Sequence, residues 1–282
     1  MILLINVLPN YIYAVTPALN GTGQDDFLVR TNVNQSINGG AGNVIIFSNN
    51  GNGPVNGGPG ADIIFAGPGG NASINGGPGD DTIVVTKGNF SIDGGPGADT
   101  IIINGGNNIV RDSDGNDTIL VLSGHNNITA GPGGNVIIAL NGTNNIKGGP
   151  GGDLIIALNG TNNIKGGSGD DMIFSLGGNN TVSGGSGDNV LVGTTAKNIL
   201  VGGSDNDFIY TKGKNDTLIG GPGENALIAA GTGNATIIGG PGIDKLIGGP
   251  GADHFICGTG EESIIGFNTS KGDTKTANCK NF

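Results

Sequence analysis

The sequence has no tryptophan, and aromatic residues fill only 4% of its 282 positions. A core built on large rings, or a platform that stacks bases, is therefore not expected. Charged residues reach only 12%, and 12 Lys and Arg stand against 23 Asp and Glu, for a formal net charge of −11. The basic face that nucleic acid requires is missing, and the surplus acid suits cations. Cysteine occurs twice, at Cys257 and Cys279, without the CxxC or Cys/His spacing of a zinc site. No stretch is long and apolar enough to cross a bilayer; residues 1–14 come nearest, but they are too short and Pro9 breaks them.

Glycine is what the chain has in excess. With 60 Gly and 12 Pro, these two make 72 of 282 residues, about a quarter, a level typical of collagen or of disorder. Collagen needs a three-residue register that is absent here. Disorder conflicts with 35% hydrophobic residues and a mean hydropathy near zero. Ordered glycine at this level implies an internal repeat.

The repeat is visible in GGPGADIIF at Gly57, GGPGADTII at Gly94, GGPGGDLII at Gly148 and GGSGDDMIF at Gly166. Related segments start at residues 21, 39, 57, 76, 94, 112, 130, 148, 166, 184, 202, 220 and 239, in steps of 18 with two steps of 19. A weaker nonapeptide lies between them, such as ALNGTNNIK at Ala139 and again at Ala157, so the unit is 9 + 9. The eighth position of every nonapeptide is apolar. In the strong half it is Leu28, Ile46, Ile64, Ile83, Ile101, Ile119, Ile137, Ile155, Ile173, Leu191, Ile209, Leu227 and Leu246. In the weak half it is Ile37, Val55, Ile74, Ile92, Val110, Ile128, Ile146, Ile164, Val182, Leu200, Leu218, Ile237 and Phe255.

Six polar, Gly-rich residues make a turn, and three β-prone residues make a short strand whose middle side chain points inward. Two turns and two strands close one flattened coil. The expected fold is all-β: a parallel β-roll, or β-solenoid, of about 13 coils of 18 residues over 21–256. Each coil buries its apolar residues only against its neighbours, so stability accumulates along the stack.

The sixth position of the strong half carries oxygen. It is Asp26, Asp62, Asp81, Asp99, Asp117, Asp153, Asp171, Asp207 and Asp244, then Asn135, Asn189 and Asn225, and Val44 once. Asp80, Asp170 and Asp188 add an acid at the fifth position. The pattern G-G-x-G-x-D-x-U-x resembles the RTX, or haemolysin-type, calcium-binding nonapeptide over about 236 residues. That resemblance implies Ca²⁺ held by the Asp carboxylates and turn carbonyls of adjacent coils, with hard oxygen ligands in flexible loops. Asn turns should bind more weakly, and the Val44 turn should lack a side-chain ligand. Stacked carboxylates would repel one another without a counter-ion, which turn propensity alone does not explain.

The weak half departs from that pattern. Its sixth positions are Gln35, Gly53, Ala72, Phe90, six successive Asn from Asn108 to Asn198, Asp216, Ala235 and Asp253. Stacked Asn can bond to one another without an ion. The expectation is an asymmetric roll, with Ca²⁺ along one edge and an amide ladder along the other, Asp253 and Asp216 being the exceptions.

Residues 1–20 read as a partial signal peptide lacking its basic start, or as an N-terminal cap. Residues 257–282 leave the register and read as a C-terminal cap. Its S-I-I-G-F-N and G-D resemble the segment that closes RTX rolls, with Ser263 and Gly266 replacing the usual acids. In a secreted chain Cys257 and Cys279 suggest one disulfide; two free thiols are the alternative. Twelve N-x-[ST] sequons, at Asn20, Asn34, Asn71, Asn89, Asn116, Asn127, Asn141, Asn159, Asn179, Asn215, Asn234 and Asn268, fit a glycosylated surface protein or follow from the repeat.

The expected function is a secreted, calcium-binding roll that folds on Ca²⁺ and serves a structural or surface-adhesion role, with possible cell-surface or glycan contact. An RTX-tailed enzyme is the first rival. The repeat begins by Gly21, leaving no room for an upstream domain, and His125 and His254 stand alone without HExxH or GxSxG. An ice- or polysaccharide-binding face is the second. Its ladder should be regular, yet the weak fifth position varies through Asn107, His125, Thr143, Thr161, Asn179 and Lys197.

Overall fold

The computed structural model describes residues 10–12, 17–195 and 197–281. The signal-peptide expectation falls mainly on residues outside that set. The fold is an all-β parallel β-solenoid of about 14 turns with about 18 residues per turn. Among the described residues the one helical element is a single 3-10 turn, Thr269–Lys271, and no helix is long and apolar enough to cross a membrane.

The chain divides into two compact units, Met1–Val136 and Ile137–Phe282. In the first, strong-half strands pair in parallel from Asn10–Ile12 and Asp26–Val29 to Thr118–Val121, and weak-half strands from Ala18–Asn20 to His125–Thr129. In the second, the two series run from Leu154–Ala157 to Lys280–Asn281 and from Thr143–Pro150 to Thr274–Lys275. Each unit keeps the sequence register: Ile101 lies between Ile83 and Ile119, and Ile173 between Ile155 and Leu191.

Runs such as TIII at Thr100–Ile103 form strands because β-branched side chains suit a pleated, half-buried surface. Their burial alternates, as a strand requires. All 26 eighth-position residues are at most 2% exposed, as the pattern predicts. The inner face also extends one residue further than the pattern suggested. Ala66, Val85, Ile103, Val121, Ala139 and Ala157, which open the weak half, are buried too. Arg30 occupies the equivalent place in the first coil; burial lowers its pKa to about 10, and its guanidinium donates to the Gly53 carbonyl.

Both single-residue insertions fall on weak-edge turns. Ile46 pairs with Ile64 at a step of 18, Val55 with Ile74 and Ile64 with Ile83 at 19, and Ile74 with Ile92 at 18. The extra residue therefore lies between Ile64 and Ile74. The same comparison places the second between Leu227 and Ile237.

The register runs beyond Ile256, contrary to the expectation that 257–282 leave it. Ser263–Ile265 pairs with Lys245–Ile247, Leu246 facing Ile264 at a step of 18. Residues 257–265 are thus a fourteenth strong nonapeptide, with Glu262 at its sixth position. The pattern concealed this because Cys257 replaces the first glycine and Glu262 the Asp. Cys257 and Cys279 form a disulfide.

Candidate metal centre

The strong-edge turns are tight because glycine carries them. Gly167 and Gly169, at the second and fourth positions, have φ of 145° and 118°. A β-carbon at Gly167 would lie 1.9 Å from the Gly149 carbonyl oxygen of the preceding coil. Only glycine tolerates both that backbone and that approach. At the first position, a β-carbon on Gly57, Gly76 or Gly94 would lie 2.3 Å from Oδ2 of Asp62, Asp81 or Asp99. The missing side chain is what makes room for the carboxylate.

Each sixth-position carboxylate is buried and divides its two oxygens between different tasks. Oδ1 of Asp81 accepts the N–H of Asp62 at 2.7 Å, that of Asp99 the N–H of Asp81 at 2.7 Å, and that of Asp171 the N–H of Asp153 at 2.8 Å. One oxygen thus ties neighbouring coils together, except in Asp26, whose Oδ2 accepts from Thr22 of its own turn. The other has no hydrogen-bond partner: Oδ2 in Asp62, Asp81, Asp99, Asp117, Asp171, Asp207 and Asp244, and Oδ1 in Asp26. Asp153 sits at the same position, 2% exposed.

A buried, unsatisfied carboxylate is unstable as an anion. Burial pushes the pKa of Asp62, Asp171 and Asp207 up to about 6. For Asp81 and Asp99 burial, augmented by neighbouring carboxylates, pushes it up to about 7. Burial raises Asp117 and Asp244 as well. In each case the backbone N–H bond opposes the shift without cancelling it.

The Asn turns show what this cradle accepts. Nδ2 of Asn135 donates to the Gly131 and Gly133 carbonyls at 3.2 and 3.3 Å, that of Asn189 to Gly187 at 2.9 Å, and that of Asn225 to Gly221 at 3.0 Å. The second- and fourth-position carbonyls therefore converge on the sixth side chain. Where that side chain is Asp, a second acceptor replaces the amide donor, and acceptors facing acceptors need a cation between them. An all-oxygen set in a Gly-rich loop fits Ca²⁺. Two features of the turns thus make the residues present fit the ion: the orphaned oxygens and the space at the first-position glycines.

The model of the RTX calcium-binding nonapeptide repeat (4 copies) matches residues 31–52, 55–72, 75–110, 102–137, 120–155, 147–182, 156–191, 183–213, 201–231 and 229–261. The chain belongs to the RTX calcium-binding repeat family. That membership implies Ca²⁺ binding, and the RTX roll fits a structural calcium-binding role. No curated protein matches the chain.

Not every residue singled out from the RTX pattern behaves alike. In Asn135, Asn189 and Asn225 the amide oxygen already accepts the N–H of Asp117, Asp171 and Asp207, at 2.9, 3.0 and 2.9 Å, while the NH₂ serves the turn carbonyls. Each of these amides thus meets a backbone N–H with its oxygen and turn carbonyls with its NH₂. Asp80, Asp170 and Asp188 are exposed. Each accepts a backbone N–H one coil on, from Ala98, Asp188 and Asn206, at 2.9, 2.8 and 2.9 Å. Val44 is buried, and only its N–H joins the ladder, donating to Asp62 Oδ1 at 2.7 Å.

The weak edge is closed by its own hydrogen bonds. Asn108 donates to Asn126 Oδ1, Asn144 to Asn162 Oδ1, and Asn162 to Asn180 Oδ1, each at 3.0 Å. Asp253, proposed from sequence as a ligand, has both oxygens satisfied by the N–H groups of Ala235 and Gly249 at 2.9 Å. It lacks the orphaned oxygen that distinguishes the strong edge. The histidines are both exposed, and His254 Nδ1 bonds Thr274 Oγ1 at 2.7 Å.

Two buried acids with an unpartnered carboxylate oxygen escaped the sixth-position scan. Glu262 is 1% exposed with neither carboxylate oxygen partnered. Asp112 is 7% exposed with Oδ2 unpartnered. The signal that could have found Asp112 was its place at the first position, where 11 of the 14 strong repeats have glycine.

Proposed function

We propose that this RTX chain is a secreted, non-catalytic module that folds on Ca²⁺ and then serves a structural or surface-adhesion role. One observation carries the reading: along the strong edge, buried carboxylate oxygens without hydrogen-bond partners recur turn after turn. Ca²⁺ binds the stacked form, in which two coils supply ligands, so binding energy becomes folding energy. Inside a cell, where Ca²⁺ is scarce, the carboxylates repel and the chain stays open; outside, it closes. The Cys257–Cys279 disulfide suits an oxidising compartment, and all twelve sequon asparagines are exposed to a glycan transferase. The weak edge, satisfied by amides, needs no ion, so the strong-edge Asp turns hold the Ca²⁺.

Metal-stripped protein titrated with Ca²⁺ tests this, with far-UV circular dichroism for order and native mass spectrometry for ions bound. A rise in β signal, with no more than one ion per coil, is expected. A β signal indifferent to Ca²⁺ overturns the folding role, and two ions per coil overturn the one-edge assignment. Export is tested by fusing residues 1–20 to a leaderless phosphatase; activity outside the cytosol is expected, and its absence removes the secretion reading.

A further inference from the structure

Asp112 breaks the rule that makes the other turns work. At the first position a β-carbon ordinarily collides with the sixth-position carboxylate, as at Gly94, where it would lie 2.3 Å from Asp99 Oδ2 and 2.7 Å from Asp112 Oδ1. Asp112 places a whole carboxylate in this crowded space. Its Oδ1 accepts the N–H groups of Gly95 and Ser113 at 3.2 and 3.0 Å, which aims the group at the preceding coil. Its Oδ2 is buried and unpartnered, as are Oδ2 of Asp99 and of Asp117. One ligand oxygen from each of these three residues lies within 4.8 Å of the others.

As carboxylates these three residues are acceptors only, and no N–H of the protein reaches their free oxygens. At an ordinary interval two sixth-position acids face each other through glycines; here a third is added. Affinity for Ca²⁺ rises with the number of charged ligands.

We propose that Asp112, with Asp99 and Asp117, forms a three-carboxylate divalent-cation site that binds Ca²⁺ more tightly than the two-carboxylate intervals and fills first. This rests on the calcium reading above, and it adds a ligand outside the nonapeptide's sixth position.

The test is competition of the full chain against a chromophoric Ca²⁺ chelator, comparing the natural protein with Asp112→Gly and Asp112→Asn. The natural chain should show one ion held roughly tenfold tighter than the rest. Both variants should lose that tight ion while the remaining ions and the Ca²⁺-induced β signal persist. Asp112→Gly restores the residue used by 11 of the 14 strong repeats, so it should fold; Asp112→Asn keeps the shape and removes the charge. A tight class retained in Asp112→Gly overturns the proposal, as does uniform affinity in the natural chain, and neither result touches the general calcium reading. Absence of any Ca²⁺ uptake overturns both.

Discussion

Protons should replace calcium in this fold. The pKa values of Asp81, Asp99 and Asp112 are pushed up to about 7, and those of Asp62, Asp171 and Asp207 up to about 6, from 3.8. Raising a carboxyl pKa by one is worth about 1.4 kcal/mol, so a shift from 3.8 to about 6 or 7 makes each group cost a few kcal/mol to hold ionised in a metal-free fold. A typical domain has about 5–15 kcal/mol of net stability in all, so a few such groups are enough to decide whether the metal-free chain folds. Between about pH 4 and pH 7 the folded chain holds protons that the unfolded chain has released, so metal-free stability falls as pH rises through that window. It is fullest below the ordinary carboxylate range and lost above the raised values. The assay is circular dichroism of protein passed over chelating resin, scanned upward from about pH 5, above the pI of about 4.3. The β signal should be strong at the acid end, decay through about pH 6 to 7, and return at pH 8 on adding millimolar Ca²⁺. A metal-free β signal that is flat over this range, or that grows with pH, would refute the reasoning.

Three further outcomes follow from particular contacts. Asp171→Asn should copy Asn189 and serve its own turn carbonyls, so one fewer Ca²⁺ binds at saturation and less Ca²⁺ is needed for half-maximal ordering; an unchanged ion count by native mass spectrometry would count against it. Ile173→Ala removes a fully buried side chain stacked between Ile155 and Leu191, and should cost about 2–5 kcal/mol in urea denaturation of the Ca²⁺-loaded chain. Reducing Cys257–Cys279, which closes a loop of sequence separation 22, should cost about 3 kcal/mol and loosen the C-terminal strands first, read by hydrogen exchange at Ser263–Ile265.

The coil architecture was legible because it is one-dimensional. A residue's place in the 9 + 9 register decides its neighbours, and Ile173 could be assigned to the core from spacing alone. The same register marked Asp62 or Asp171 as an edge acid. It misread the end of the roll, because Cys257 and Glu262 blur the pattern while the backbone carries on. Nor did it show how the Asn189 amide is oriented. Residue identity shows that Asn has an oxygen, but only the surrounding carbonyls decide that the NH₂ points into the cradle and the oxygen to the preceding coil's N–H.

By itself the sequence determined the repeat, the inward and outward faces, and the edge that carries acid, since these depend on local periodicity and on contacts one coil away. The tertiary structure decided which acids keep an oxygen without a donor. Asp171 and Asp253 look alike as letters; one keeps a buried oxygen without a donor, while the other meets N–H groups on both oxygens. The distinction lies in how many donors the stacked backbone aims at each carboxylate, a property of the packed turns.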